Sequence, residues 1–240
     1  MNEKTINVLQ LYPRDMNIYG DWGNALVIKR RLEWHGLTPN LIEYNPGDVF
    51  PENVDIVLGG GGQDSGQDII QEDLLTIGDT LHKLADKDVP MLLICGLYQL
   101  FGKFFKTQDG HVIKGIGLLD IETHAGPERL IGNIVTKSEQ FGDIIGYENH
   151  SGQTFLGKDV QPLGTIIKGA GNNGQDGLEG ARYHNVIGTY LHGSILPKNP
   201  NIADFLIEKA VTNKYGEFTP TVIEDRFAEL ARSVAAKRPR

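Results

Sequence analysis

The chain has a single cysteine, Cys95, in 240 residues. One cysteine cannot close an internal disulfide, so nothing in the composition points to a secreted, oxidised setting. No apolar run approaches the ~20 residues that a membrane-spanning helix needs. Met1–Gln10 has no basic stretch leading into a long apolar one, so no signal peptide is expected and the chain is placed in the cytoplasm. Basic residues are in deficit. There are 23 Lys and Arg against 31 Asp and Glu, a net charge of −8, which gives no general attraction for nucleic-acid phosphates or anionic membranes. A nucleotide-phosphate loop is missing too. The run Gly59–Gly62 does not meet the G-x-G-x-x-G pattern. Gly61 and Gly66 have the Walker A glycine spacing, but Gln67 and Asp68 stand where Lys and Ser or Thr are required. No site for ATP or a nicotinamide cofactor is therefore expected in this chain, and no metal.

Hydrophobic residues make up 40% and charged residues 22%, enough for a full core in one larger α/β domain. Thr5–Leu11 reads as a buried strand. Asn24–His35 suits an amphipathic helix stopped by Gly36. Pro39–Tyr44 and Val54–Leu58 read as strands. Apolar Ile69, Ile70, Leu74, Ile77, Leu81 and Leu84 recur at helical spacing between Gln67 and Lys87. Met91–Ile94 is a fourth short strand, and Gly96–Phe105 the next helix. This alternation predicts an α/β fold with an open, mostly parallel sheet flanked by helices. Such sheets place their sites at the carboxyl ends of the strands. The second half reads as short strand-like pieces, Gly132–Val135, Ile144–Tyr147 and Ile187–Tyr190, with a glycine-rich loop at Gly169–Gly177 and a helix at Asn201–Tyr215. Residues 1–218 are expected to form one domain, with a C-terminal helical tail over 219–240. Phe227, Leu230 and Val234 lie at helical spacing in that tail, which ends in Lys237, Arg238 and Arg240. It reads either as a surface helix or as a docking helix for another subunit.

Two loops fall at strand ends, and each has two readings. Cys95 follows Met91–Ile94 directly. A buried cysteine is commonly a small hydrophobe. Here, however, it closes its strand, a glycine follows as a sharp strand-to-helix turn requires, and the N-terminus of the next helix would favour thiolate. Backbone N–H groups at such a turn can also receive a tetrahedral intermediate's oxygen. That is the logic of a nucleophile elbow with sulfur in place of oxygen. Such a nucleophile needs a base. Of seven histidines, His192 closes a strand-like run and precedes Gly193, which puts it on a strand-end loop. His150, in YENHSG, is its rival. The run Gly59–Gly62 is either a tight turn or a backbone that approaches a ligand oxygen closely.

Taken together, YGDWGN (Tyr19–Asn24), GGGGQD (Gly59–Asp64), ICGLYQ (Ile94–Gln99), RLIGNIV (Arg129–Val135), GYENHSG (Gly146–Gly152) and GTYLHGSILPKN (Gly188–Asn199) resemble the class I, or triad, glutamine amidotransferases. These have a flavodoxin-like sheet. The resemblance lies within their cobyric-acid-synthase-like (CobB/CobQ) branch and narrows to the glutaminase subunits of lipid II isoglutaminyl synthases. It implies a Cys95 nucleophile that forms a γ-glutamyl thioester from L-glutamine, and a His192 base. It implies an oxyanion hole at Gly96 and Gly61, Arg129 on the substrate α-carboxylate, and substrate contacts from Gln99 and from the segment Asn149–Gly152. It further implies a Mur-ligase-like (MurT-type) synthetase subunit as heterodimer partner, carrying the ATP and Mg and reaching lipid II, whose D-glutamate α-carboxyl would be amidated to D-isoglutamine in peptidoglycan synthesis.

Two positions depart from the class pattern. Leu97 stands where many class members have glycine, two residues after the cysteine. Ser194 stands where the triad carboxylate is usual, two residues after the histidine. Either the site is a Cys–His dyad, or a carboxylate arrives from elsewhere, a partner included. Two other readings use the same residues: a free-standing cysteine hydrolase of γ-glutamyl substrates, and a non-catalytic scaffold with Cys95 as filler.

Overall fold

The computed structural model describes residues 4–239; Met1–Glu3 and Arg240 lie outside the described residues. Its first sheet has the strands β1 (Thr5–Leu11), β2 (Thr38–Tyr44), β3 (Ile56–Gly59) and β4 (Met91–Ile94). It is completed by β11 (Ala181–Tyr183) and β12 (Val186–Thr189). The spatial order is β11-β12-β4-β3-β1-β2. All pairings are parallel except β11 with β12. Leaving the antiparallel edge aside, the order is that of a flavodoxin-like sheet, with its switch point between β1 and β3. Strands β3, β4 and β12 are buried throughout, which is why each reads as a continuous apolar run rather than an alternating one.

Helices α1 (Gly23–Trp34), α2 (Asp64–Asp86) and α4 (Pro200–Tyr215) flank this sheet. Gly36, at φ +74°, ends the excursion of α1 as expected. Asn199 precedes α4 and ties it to the second half of the chain: its side chain accepts from the Ile145 N–H and donates to the Ile145 carbonyl, both at 2.9 Å.

Two expectations need correction. The helix α3 spans only Gly96–Leu100, not Gly96–Phe105. The chain turns at Gly102, where a Cβ would come within 2.5 Å of the Ile121 side chain, and Phe104–Lys106 becomes β5. Five residues sum too few peptide dipoles to carry the argument made from the helix terminus. Nor does the second half consist of isolated short pieces. A long hairpin, β7 (Ile121–Ser138) with β8 (Gly142–Leu156), forms the spine of a second sheet. To it are added β5, β6 (Val112–Lys114), β9 (Gly164–Lys168) and β10 (Leu178–Glu179). Alternation of apolar and polar residues in β7 is broken between Ala125 and Leu130, where the strand bulges. That bulge, Gly126–Pro127–Glu128–Arg129, hid the strand from a period-2 reading and carries Arg129 outward.

The tail contains α5 (Arg226–Lys237). Its Arg232 donates to the carbonyls of Lys198 and Asp143 at 2.8 and 2.7 Å. Just before it, Asp225 pairs with buried Arg31, which also holds Asp204. Phe227, Leu230 and Val234 lie on the exposed side of this helix.

Candidate active site

Register fixes where the site must lie. Leu11 is level with Gly59, Gly59 with Leu93, and Ile94 with Thr189. The residues that follow these strands therefore share one rim of the sheet. From β4 comes Cys95, at φ +48°, a conformation that a residue with a Cβ adopts only when its surroundings enforce it. Its N–H donates to the Thr189 carbonyl at 2.9 Å and its carbonyl accepts from the Gln99 N–H at 2.9 Å. These bonds pin the turn from both sides. The sulfur is nearly buried but borders a cleft of about 390 Å³.

The resemblance left Leu97 and Ser194 unexplained, and the packing accounts for both. Leu97 is fully buried, and a Cβ on Gly59 would come within 2.5 Å of its Cδ1. The first glycine of the run therefore makes room for the leucine. Ser194 donates from Oγ to the Gly20 carbonyl at 2.7 Å and packs against Gly23, where a Cβ would lie 2.3 Å from that oxygen. It holds no proton relay. It anchors the segment that does, for Asp21 lies in the loop between β1 and α1.

His192 comes in from beyond β12. Its N–H donates to the Tyr147 carbonyl at 2.7 Å, and its ring is buried against Cys95 and Asp21. Nδ1 lies 3.4 Å from Asp21 Oδ2, an ion-pair contact rather than a well-formed hydrogen bond. Burial alone would push the imidazole pKa down. The charge on the adjoining Cys95 sulfur and the contact with Asp21 overcome that and raise it to about 10. The imidazole is thus held as a cation between a sulfur and a carboxylate. That carboxylate belongs to this chain. Sequence reading missed Asp21 because nothing in spacing links residue 21 to residue 192. The signal was an acid lodged in YGDWGN, in the loop after the strand at the sheet's switch point.

Gly61 does not sit as an open donor. Its N–H already donates to Asp21 Oδ2 at 2.9 Å. A Cβ there would lie 2.8 Å from the His192 ring and 3.1 Å from the Cys95 Cβ. Its smallness lets the imidazole reach the sulfur. Gly62 borders the elbow instead: a Cβ on Gly96 would come 3.0 Å from the Gly62 nitrogen.

The remaining expected residues line the cleft. Gln99 is buried and fixed, accepting from Gln67 Nε2 at 2.8 Å and donating to the Tyr190 hydroxyl at 3.0 Å. Gly152 packs on it: a Cβ there would lie 2.3 Å from Gln99 Nε2. Arg129 donates from Nε to Asn149 Oδ1 at 2.6 Å. Asp64, on the first turn of α2, lines the same cleft. The rival histidine, His150, lies flat on Tyr190 with ring centroids 3.6 Å apart and donates from Nδ1 to the Gly152 carbonyl at 2.6 Å. Burial, with the nearby His192 charge, pushes its pKa down to about 3. It remains neutral, and its place is in the cleft wall. Among the described residues, no group of three or more His, Cys, Asp or Glu could hold a metal ion.

Arranged this way, the site holds a thiol and an imidazole side by side at a cleft that carries a guanidinium on its wall. Comparisons with known proteins give the family. A family model for a CobB/CobQ-like glutamine amidotransferase domain matches residues 7–200. The chain is 40% identical over 225 residues to a Staphylococcus aureus (strain N315) protein named lipid II isoglutaminyl synthase (glutamine-hydrolyzing) subunit GatD, covering 93% of this chain and 91% of that one. It is 39% identical over 217 residues to the Streptococcus pneumoniae protein of the same name, covering 88% and 83%. A probable cobyric acid synthase of Methanothermobacter thermautotrophicus is 33% identical over 157 residues, covering 59% of this chain and 31% of that one. Among solved structures, PurLQS from Thermotoga maritima superimposes with a TM-score of 0.60 at 15% identity, over 85% of this chain and 98% of that one. That last likeness speaks to the fold alone.

Proposed function

The chain belongs to the CobB/CobQ-like glutamine amidotransferase family, and on that premise we propose that it is the glutamine-hydrolysing subunit of a lipid II isoglutaminyl synthase. The observation that carries this reading is the buried line Cys95–His192–Asp21, opening into a cleft with Arg129 on its wall.

L-Glutamine binds with its α-carboxylate on the outer nitrogens of Arg129, whose planar fork suits that group. The Asp64 carboxylate lies in the same cleft to meet the α-ammonium. Cys95 attacks the γ-amide carbon. The oxygen takes up the negative charge and is met by the N–H groups of Gly96 and Gly62, the latter in place of Gly61 because the Gly61 donor is engaged. Imidazolium His192 protonates the departing nitrogen, ammonia leaves, and a γ-glutamyl thioester remains. The now neutral His192 takes a proton from water, whose oxygen attacks the thioester. The thioester collapses to glutamate, and sulfur and imidazole recover their starting charges. Asp21 holds the ring in its orientation.

Ammonia has its use on a second polypeptide. Amidating a carboxylate requires that it be activated, and this sequence carries no phosphate loop. A Mur-ligase-like synthetase of the MurT type, with ATP and Mg, is the heterodimer partner. It activates the D-glutamate α-carboxyl of lipid II, and the product is D-isoglutamine. Work on an ATP-dependent partner and the lone cysteine favour the cytoplasm. Among the described residues, no helix is long and apolar enough to cross a membrane.

A scaffold that merely kept the fold would not be expected to bury a cation against two partners. Removing one member of such a set costs about 3–5 kcal/mol, whereas apolar residues of similar volume would pack there without that hazard. The reading is tested by ammonia release from L-glutamine by the purified chain, alone and with the synthetase, ATP and lipid II. Hydrolysis by the isolated chain and isoglutaminyl product in the full mixture are expected. Release of ammonia in neither mixture sinks the proposal, and cleavage of γ-glutamyl peptides in preference to glutamine turns it into a free-standing hydrolase.

Asp21→Asn is expected to lower kcat by about 10²–10⁴-fold, since it keeps shape and removes the charge that orients the imidazolium. KM should move little, because Asp21 does not line the cleft. A variant with wild-type kcat would return the site to a Cys–His dyad.

A further inference from the structure

One contact in this site has no part in the steps above. Tyr19 lies in the short turn Ile18–Gly20, at φ +59°, where a bulky side chain is rarely found. Strain of this kind persists only where neighbours over-determine the backbone, and here they do. The Ile18 N–H donates to the Gly61 carbonyl at 2.9 Å, the Trp22 N–H to Asn17 Oδ1 at 2.9 Å, and Ser194 Oγ to the Gly20 carbonyl at 2.7 Å. Asp21 Oδ2 accepts the Gly61 N–H from the same segment. The strained backbone aims the phenol across the cleft.

Its two ends meet two different groups. The ring stands edge-on to the His192 imidazole, with centroids 5.1 Å apart and planes at 80°. The hydroxyl accepts from Asn149 Nδ2 at 2.8 Å. Arginine can only donate, so the bond from Arg129 Nε fixes Asn149 Oδ1 as acceptor and leaves its NH₂ to face Tyr19. A continuous chain therefore runs from the guanidinium, through an amide of settled orientation and a phenol, to the face of the imidazole. The phenol is 47% exposed, so it makes little of the core, and its placement asks for another reason.

We propose that Tyr19 is a positioning residue that couples the α-carboxylate end of the cleft to the His192 imidazole through the chain Arg129–Asn149–Tyr19. The inference rests on the glutaminase reading above. The ring covers the imidazole and limits its rotation, while the hydroxyl holds Asn149, and with it Arg129, in the setting that receives the substrate. Glutamine with its α-carboxylate in place then steadies the imidazole that must deliver a proton to its far end. A substrate lacking that carboxylate leaves the chain slack.

Tyr19→Phe and Tyr19→Ala separate the two halves. Steady-state glutamine hydrolysis is measured for each, along with L-glutamate affinity by calorimetry, which needs no turnover. Tyr19→Phe keeps the ring and loses the hydroxyl. Its kcat should fall about threefold, because the link from Asn149 to the ring is cut, while KM for glutamine and Kd for L-glutamate each rise about fivefold, the usual worth of one neutral hydrogen bond. Tyr19→Ala should show the same rise and also lose about tenfold in kcat, the scale of an edge-on ring contact. Since the side chain is half exposed, the thermal midpoint of both variants should match wild type. Wild-type kcat in Tyr19→Ala overturns the inference, as does an unchanged KM and Kd in Tyr19→Phe. A wild-type chain that binds L-glutamate but never turns over glutamine sinks the glutaminase reading and the imidazole half of this inference with it. The hydroxyl half is then still decided by the L-glutamate affinities.

Discussion

Cys95→Ala is expected to abolish ammonia release from glutamine, by about 10⁴-fold or more, while the protein folds as before. The size follows from the mechanism. Without the sulfur no thioester forms, and a nucleophile and its base act as a unit, so losing either costs nearly the whole covalent route. Survival of the fold follows from the geometry. The side chain is small and at the edge of the core, its φ of +48° is enforced by bonds from the backbone rather than by the thiol, and alanine meets the same steric demand as cysteine there. Cys95→Ser should be nearly as inactive, because a hydroxyl is far less readily ionised than a thiol. A glutamine-analogue electrophile, 6-diazo-5-oxonorleucine, should label the wild-type chain once, at residue 95, and leave both variants unlabelled. Full hydrolysis by either variant would remove the sulfur from the mechanism. There is also an equilibrium consequence. The sulfur's charge helps to hold the His192 pKa at about 10, so Cys95→Ala should bring the imidazole titration down toward its ordinary value of 6.5, as read by NMR of the ring.

His192→Ala is expected to cost a comparable amount, with KM for glutamine little changed. It removes the proton donor to the leaving nitrogen and leaves Asp21 buried with its Gly61 bond but no cation. His150→Ala serves as the contrast. That ring is neutral, engaged with the Gly152 carbonyl and stacked on Tyr190. Its loss should raise KM through the cleft wall and lower kcat far less than His192→Ala. The reverse order would mean that the base has been assigned to the wrong histidine. Stability should carry the same imprint. A histidine whose pKa is raised on folding contributes stability that is fully present below its unfolded value, near 6.5, and is lost as pH rises through about 10. Denaturation of the wild type and of His192→Ala from pH 6 to 10.5 should therefore give curves that converge as pH rises. Parallel curves would deny the ion pair.

Much of this was legible in the chain itself. The strands β1 and β4 appear with their boundaries, and α1, α2 and α4 to within a few residues, because buried parallel strands and amphipathic helices write their periods directly into local sequence. Cys95 followed by Gly96 announces a strand-end turn for the same reason. The long hairpin was not legible. Its alternation is interrupted by the bulge at Gly126–Arg129 and by turns rich in glycine, and a broken period looks like several short pieces. The length of α3 was misjudged because Gly102 meets Ile121 only after the chain has folded back.

The division falls between what neighbours in sequence decide and what neighbours in space decide. Local residue order determined the elements, the elbow carrying Cys95, the strand-end place of His192 and, through its motifs, the family. Only the tertiary structure supplied the carboxylate: Asp21 meets His192 across 171 positions because β1 and β3 adjoin at the switch point and Ser194 fastens the loop between β1 and α1 to the histidine's own loop. It alone showed that Gly61 is already engaged, that Gly59 admits Leu97, and that Tyr19 reaches from Asn149 to the imidazole. These are matters of distance and packing between segments remote in the chain. No pattern along the chain encodes them, since they exist only once the sheet has brought its strand ends to one rim.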